Sequence, residues 1–169
     1  SSTNDLAREA ACDQNNDGLA IFAEFQTAGR GRQGASWVSP AGVNLLLRWL
    51  LSDPPVLLKR HLLPVASGLA LAQAVKEATG ITAKVKWPND LLIDSQKIGG
   101  ILVEACSNPQ GEAALIIGIG VNCNCGQDDL SDEVKIPASS LREMTGHIID
   151  RHSLGRSILA RLDEWLEVC

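Results

Sequence analysis

The sequence predicts one α+β domain built on a mixed, largely antiparallel sheet flanked by helices. Three observations lead there. Apolar runs of strand length recur through the middle of the chain: LAIFAEF (19–25), VNLLLRWLL (43–51), AKVKW (83–87), LLID (91–94), KIGGILVEA (97–105) and ALIIGIGVN (114–122). Segments with helical apolar spacing stand on either side of them and once among them. Asp94-Ser95-Gln96 joins two of the runs as a hairpin turn, which makes that pair antiparallel. A chain of 169 residues, 45% of them hydrophobic, suffices for one domain with a substantial core.

Taken in order, Ser2-Thr3-Asn4-Asp5 supplies capping oxygens and an acidic first turn for a helix over residues 4–12. Asn15 to Gly18 is a turn. The run at 19–25 reads as a strand buried on most sides. GRGRQGASWVSPAG, with four glycines, one proline and two serines, fits no regular element. The strand at 43–51 is broken by Asp53-Pro54-Pro55. Helical spacing covers 56–79, with Pro64 starting or bending the main helix and Gly80 stopping it. The strand at 83–87 ends at Pro88, and the hairpin and the buried strand at 114–122 follow. The polar stretch 123–137 is loop; SSLREMTG and SLGRSILARLDEWLEV are the last two helices.

Charge and cysteine usage restrict function. With 15 basic and 20 acidic residues the net charge is −5, which argues against a nucleic-acid module and its basic face. No apolar run reaches the roughly 18 residues of a membrane span, and no signal-peptide pattern opens the chain. Five cysteines at irregular spacing fit reduced thiols in a cytoplasmic setting. Cys123-Asn124-Cys125 is half of a zinc-type arrangement, but His61, His147 and His152 are scattered and no second pair completes it, so no metal-ligating set is assigned. The opening Ser1 and the closing Cys169 read as an excised piece of a longer protein.

Gly29 to Gly34, GRGRQG, fits G-x-G-x-x-G. A dinucleotide turn also needs a helix opening at the third glycine, so that its N-terminus meets the pyrophosphate. Pro40 and Gly42 forbid that helix, and Asp53 stands in Asp-Pro-Pro rather than at a strand end. No Gly-Lys-Ser or Gly-Lys-Thr completes a P-loop. What is left is a glycine-rich loop with two forked cations, Arg30 and Arg32, suited to carboxylate or phosphate, or else a solvated surface loop. A second cluster, Lys86-Trp87-Pro88-Asn89-Asp90, gathers a cation, a ring, a rigid turn and a carboxylate. The hairpin would return Lys97 beside it, and Gly99 and Gly100 allow close backbone approach.

With these blocks in view, the chain resembles the catalytic domain of the biotin protein ligases. The resemblance rests on Ser2-Thr3-Asn4, Gln26-Thr27-Ala28-Gly29-Arg30-Gly31-Arg32, Trp37 with Ser39-Pro40-x-Gly42, KWPND at 86–90, KIGGILVE at 97–104, GIGVN at 118–122 and ASSL at 138–141, in family order. It implies a fold like that of the class II aminoacyl-tRNA synthetases and the biotin–lipoyl ligases, with residues 1–169 as one catalytic domain. No N-terminal helix-turn-helix or C-terminal β-barrel domain is expected in this piece. It implies ATP and Mg²⁺ as cofactors, biotin as substrate, a biotin carboxyl carrier domain as acceptor, and neither nucleic acid nor membrane as partner. A homodimer is left open.

The resemblance also implies site residues. Arg32, Lys97 and Asp90 are the catalytic candidates. Ser2, Thr3, Asn4, Gln26, Gly29, Arg30, Gly31, Arg32, Lys97 and Gly100 are the biotin contacts. Arg32, Trp37, Lys86, Asn89, Lys97 and Asn122 are the nucleotide contacts. Plainer roles stand beside these: helix capping for Ser2 to Asn4, an exposed strand-start lysine for Lys97, turn capping or a Lys86 pair for Asp90, core packing for Trp37. Trp49 and Trp165 read as packing. Where many relatives carry one more basic residue, this chain has Ala35-Ser36. The rivals are a lipoate or octanoate ligase or transferase of the same fold, and a biotin- or nucleotide-binding module without catalysis.

Overall fold

A computed structural model describes residues 3–52, 56–57, 60–107, 111–130 and 136–168, the side chains of Asn4 and Gln14 excepted. Helix α1 spans Thr3–Ala10 and is followed by strands β1 (Ala20–Ala23) and β2 (Leu45–Leu51) and helix α2 (Leu63–Thr79). Strands β3 (Lys84–Lys86), β4 (Asp90–Ile93), β5 (Gln96–Ser107) and β6 (Ala113–Val121) come next, then helices α3 (Leu141–Thr145) and α4 (Arg151–Val168). The strands form one sheet in the order β1-β2-β6-β5-β4-β3, every named pair antiparallel. The parallel element among the described residues is the isolated bridge of Lys97 to Ala138.

Local chemistry explains the element ends. Pro64 lies in the first turn of α2 and starts that helix rather than bending it; Gly80 ends it in the left-handed conformation, its N–H donating to the Lys76 carbonyl. Ser140 Oγ accepts from Glu143 N at the start of α3. Asp150 Oδ1 accepts from His152 N and Ser153 N before α4, which therefore begins at Arg151, two residues ahead of the sequence expectation. Asp94 and Ser95 both adopt positive φ in the β4–β5 turn, the conformation a two-residue hairpin requires.

Parity along the strands sorts the two faces of the sheet. Leu45, Leu47, Trp49 and Leu51 of β2 and Ile117, Ile119 and Val121 of β6 pack with Ala70, Leu71, Ala74 and Val75 of α2 and Leu154, Ile158 and Leu162 of α4. Among the described residues, the apolar cover of the opposite face lies at one end, where Ala7 and Ala11 pack on Leu50, Ala114 and Ile116. Strand β2 is buried at all of its positions for different reasons on its two faces: Leu45, Leu47, Trp49 and Leu51 lie in the main core and Leu50 packs with Ala7 and Ala11, while Leu46 and Arg48 lie at the bottom of a recess in the second face. The strand expected at 19–25 needs correction: β1 is shorter, lies at the sheet edge and leaves Phe22 and Phe25 exposed. It pairs with β2 alone, and the chain after it leaves the sheet to carry Gln26 inward. The Asp53-Pro54-Pro55 break lies outside the described residues. None of the described helices is long and apolar enough to cross a membrane.

Candidate active site

The uncovered half of the second face is a cavity of about 730 Å³, within the range of small-molecule sites. Its floor is glycine. Gly100 on β5 pairs with Gly120 on β6, and Gly118 stands two residues further along the same face. A Cβ on Gly120 would fall 2.7 Å from the Trp37 ring, and one on Gly118 would fall 2.9 Å from Arg48 Cζ. Side chains are thus absent from the floor so that the Trp37 indole and the Arg48 guanidinium can lie flat on the sheet.

The loop from Gly29 to Trp37 forms one wall. Gly31 N donates to Ala35 O at 2.7 Å and Trp37 N to Gly29 O at 3.0 Å, and Arg30 bridges Ser36. A Cβ on Gly29 would run into the Trp37 carbonyl, so the close approach requires glycine there. Arg30 Nη2 reaches Asp5 Oδ1 at 3.1 Å and ties the loop to α1. Arg32 is exposed at the cavity wall and, among the described residues, has no ion-pair partner. The solvated-bystander reading of this loop does not describe it: Arg30, Gly31, Arg32 and Trp37 all face the cavity.

The β4–β5 hairpin forms the other wall. It returns Lys97 to Asp90, with Nζ 2.7 Å from Oδ1, an ion pair whose approach falls outside hydrogen-bond geometry, so that buried oxygen keeps no hydrogen bond. Both side chains are about four-fifths buried, at 25% and 18% exposure. The Lys97 backbone is held from the far side, N donating to Pro137 O at 2.7 Å and O accepting from Ser139 N at 3.0 Å. Its ammonium stands 5.8 Å from the Trp37 ring centroid. The exposed-lysine reading fails here, and Asp90 faces Lys97 instead of capping a turn. Lys86 lies opposite Asp90 in the β3–β4 register but is exposed on the edge strand and is not part of the cavity wall; Trp87 beside it is 79% exposed.

Polar groups close the inner end. Gln26 is 7% exposed and faces the cavity; its Oε1 accepts from Thr3 N at a long 3.4 Å, while its Nε2 is buried without a partner. Thr3 Oγ1 is buried and equally unpartnered. Ser2 and the Asn4 side chain lie outside the described residues. Asn89 and Asn122 both face the cavity, and Asn122 Nδ2 donates to Ser139 O. Trp37 belongs to the cavity wall and not to the core, with its Nε1 buried and unpaired.

Two contributors escaped the sequence reading. Asn44 donates to Ser39 Oγ and accepts from Cys123 N, locking the Ser39-Pro40 segment to the end of β6. Arg48, read as one letter of an apolar strand, is 4% exposed and lines the cavity. Its one trace in the sequence is a lone cation inside an apolar run, which does not by itself say what that cation faces. Burial pulls its guanidinium down to about 10, with the nearby Glu104 carboxylate acting the other way, so it remains a cation at neutral pH. Burial also pushes the Cys123 thiol up to about 12 and raises that of Cys125, chemistry opposite to that of a metal thiolate. Among the described residues no group of three or more His, Cys, Asp and Glu side chains stands together as a metal site.

A cavity lined by Arg30, Arg32, Arg48 and Lys97 together with the unpartnered Gln26 amide suits an acid that also carries hydrogen-bonding groups. Residues 1–124 match the biotin/lipoate A/B protein ligase family. The chain belongs to that family. Among similar proteins, the bifunctional ligase/repressor BirA of Bacillus spizizenii is 38% identical over 159 residues, covering 94% of this chain and 49% of that protein. This biotin/lipoate ligase-family chain therefore spans about half the length of that relative. The biotin protein ligase of Aquifex aeolicus, solved in complex with biotin and ATP, superposes with a TM-score of 0.79 at 33% identity, over 98% of this chain and 66% of that one. The Leishmania major enzyme in complex with biotinyl-5-AMP superposes with a TM-score of 0.81 at 27% identity, over 99% and 72%.

Proposed function

We infer that this chain carries the catalytic domain of an ATP-dependent biotin protein ligase, which activates biotin as biotinyl-5′-AMP and passes the biotinyl group to a lysine of a biotin carboxyl carrier domain in the cytoplasm. The observation that carries this reading is the convergence of the Arg30–Trp37 loop and the Lys97–Asp90 pair on one cavity. Family membership and the ligands named for the Aquifex and Leishmania relatives support it.

In the first step a carboxylate oxygen of the acid attacks the α-phosphorus. That P–O bond forms as the bond to the β-phosphate bridge breaks, and pyrophosphate leaves. Two anions must meet, so cations have to be in place beforehand. Arg32 and Lys97 supply them; Asp90 holds Lys97 oriented before substrate arrives. Asn89 and Asn122 at the same wall are the polar contacts for the nucleotide, and Mg²⁺ comes with its phosphates as part of that substrate. In the second step the acceptor amine attacks the acyl carbon, AMP leaves with the C–O bonding pair, and the amine proton is released. No serine, cysteine or histidine nucleophile is needed.

Gln26 Nε2 and Thr3 Oγ1, buried without partners, favour a head group with hydrogen-bonding capacity over the apolar dithiolane of lipoate. The test is pyrophosphate release on adding biotin and MgATP to the purified protein, with lipoate and octanoate in parallel. Release with biotin alone among the three is expected. Biotin binding without release would reduce the protein to a binding module, and release with lipoate instead would move it to the rival substrate class.

A further inference from the structure

The sheet register places Arg48 at the end of the cavity remote from the Lys97 ammonium. Same-face rows of the sheet are about 7 Å apart. One row holds Leu46, Gly120 and Gly100, with Trp37 upon it and Lys97 Nζ 3.8 Å from where a Gly100 Cβ would stand. The next row holds Arg48, Gly118 and Leu102. The row beyond, Leu50 and Ile116, is already covered by α1. Arg48 therefore marks the closed end of the cavity. Its Nη1 donates to the Leu47 carbonyl at 2.9 Å, and Glu104, itself 3.4 Å from Arg8, acts on its charge from the neighbouring row. Gly118 leaves the guanidinium plane room to lie on the sheet and still form part of the cavity wall.

A buried, forked donor at the closed end selects for an acceptor on the substrate. We propose that Arg48 is a specificity-determining residue of this site, donating to the ring carbonyl oxygen of the ureido head while Arg32 and Lys97 hold the carboxylate at the other end. This rests on the biotin reading above. A urea oxygen is a strong acceptor, and a charged donor in a dry site discriminates sharply against a head group that lacks it. The same geometry opposes a cationic head, because a second positive charge would meet the guanidinium.

The test is a cycle of two ligands against protein variants, read as Kd by titration calorimetry on the full-length protein. The ligands are biotin and 2-iminobiotin, in which the ring oxygen is replaced by an imino group that is protonated near neutral pH. The parent protein is expected to prefer biotin strongly. Arg48→Met should weaken biotin binding roughly ten- to a hundredfold and close most of the gap between the ligands. Arg48→Lys, which keeps the charge but not the fork, should fall between. Gly118→Ala puts a Cβ against the guanidinium and should repeat the loss with Arg48 intact; it and Arg48→Lys decide the matter if Arg48→Met does not fold, as judged by circular dichroism. If the variants bind biotin as the parent does, or weaken both ligands equally, Arg48 is structural and the proposal is overturned. If the parent protein binds no biotin, the functional reading fails and takes this assignment with it.

Discussion

Lys97 Nζ stands 2.7 Å from Asp90 Oδ1 across the β4–β5 hairpin, with the Trp37 ring on its other side. The lysine is therefore aimed into the cavity before any anion enters. Preorganised charge of this kind is typically worth two to three orders of magnitude in rate. Lys97→Ala should lower the adenylation rate by about 10²–10³-fold, followed by pyrophosphate release under single-turnover conditions, and should also lower the melting temperature, because it leaves the largely buried Asp90 carboxylate without its cation. Asp90→Asn, which loosens the lysine without removing it, should lower the rate by about tenfold. A Lys97→Ala variant making biotinyl-AMP at the parental rate would take Lys97 out of the chemistry.

Asn44 connects segments that the sequence keeps far apart. Its amide donates to Ser39 Oγ at 3.2 Å and its carbonyl accepts from Cys123 N at 2.9 Å, all within buried surroundings. Asn44→Ala leaves a backbone donor unsatisfied and should destabilise the protein by about 1–3 kcal/mol. Urea unfolding measures it. Asn44→Asp retains the acceptor for Cys123 N but exchanges an amide donor for a charge beside Ser39, so it should not restore stability.

How much of this was legible in the sequence differs between fold and site. The β4–β5 hairpin, the Gly80 stop and the glycine-rich loop are written in local chemistry, because turns and caps depend on residues within a few positions. The edge placement of β1 is not, since LAIFAEF has the same apolarity whether one neighbour or two flank it. Lys97 beside Asp90 could be anticipated from hairpin pairing alone. Arg48 could not: only the register of β2 against Gly118 turns a charged letter in an apolar run into part of the cavity wall.

The Cys123 thiol predicts a pH dependence. Its ordinary value is 9.0 and burial raises it to about 12 in the folded chain. The unfolded chain therefore releases this proton first as pH rises, so folded stability falls between about pH 9 and 12 and is unaffected by this group below that window. At pH 10 the loss from Cys123 alone is on the order of 1 kcal/mol. Cys123→Ala should be less stable than the parent at pH 7, through its cavity, yet decline less steeply from pH 8 to 10. Parallel slopes for the two proteins in urea unfolding would refute the assignment.

Gln26 should trade stability against ligand binding. Its Nε2 is buried with no partner in the free chain, and its other contact, Thr3 N to Oε1, is a long 3.4 Å. An unsatisfied buried amide costs about 1–3 kcal/mol, so an apolar side chain of similar volume removes a penalty while sacrificing little. Gln26→Met should accordingly melt at or above the parental temperature without ligand, and gain less stabilisation from added biotin. Its biotin Kd should rise at least about tenfold, since the amide that the ureido head would satisfy is gone. A structural glutamine would give the reverse pattern, with the free chain destabilised by more than about 1 kcal/mol and the ligand-induced shift in melting temperature intact. Differential scanning calorimetry with and without biotin reads both quantities on the same two proteins.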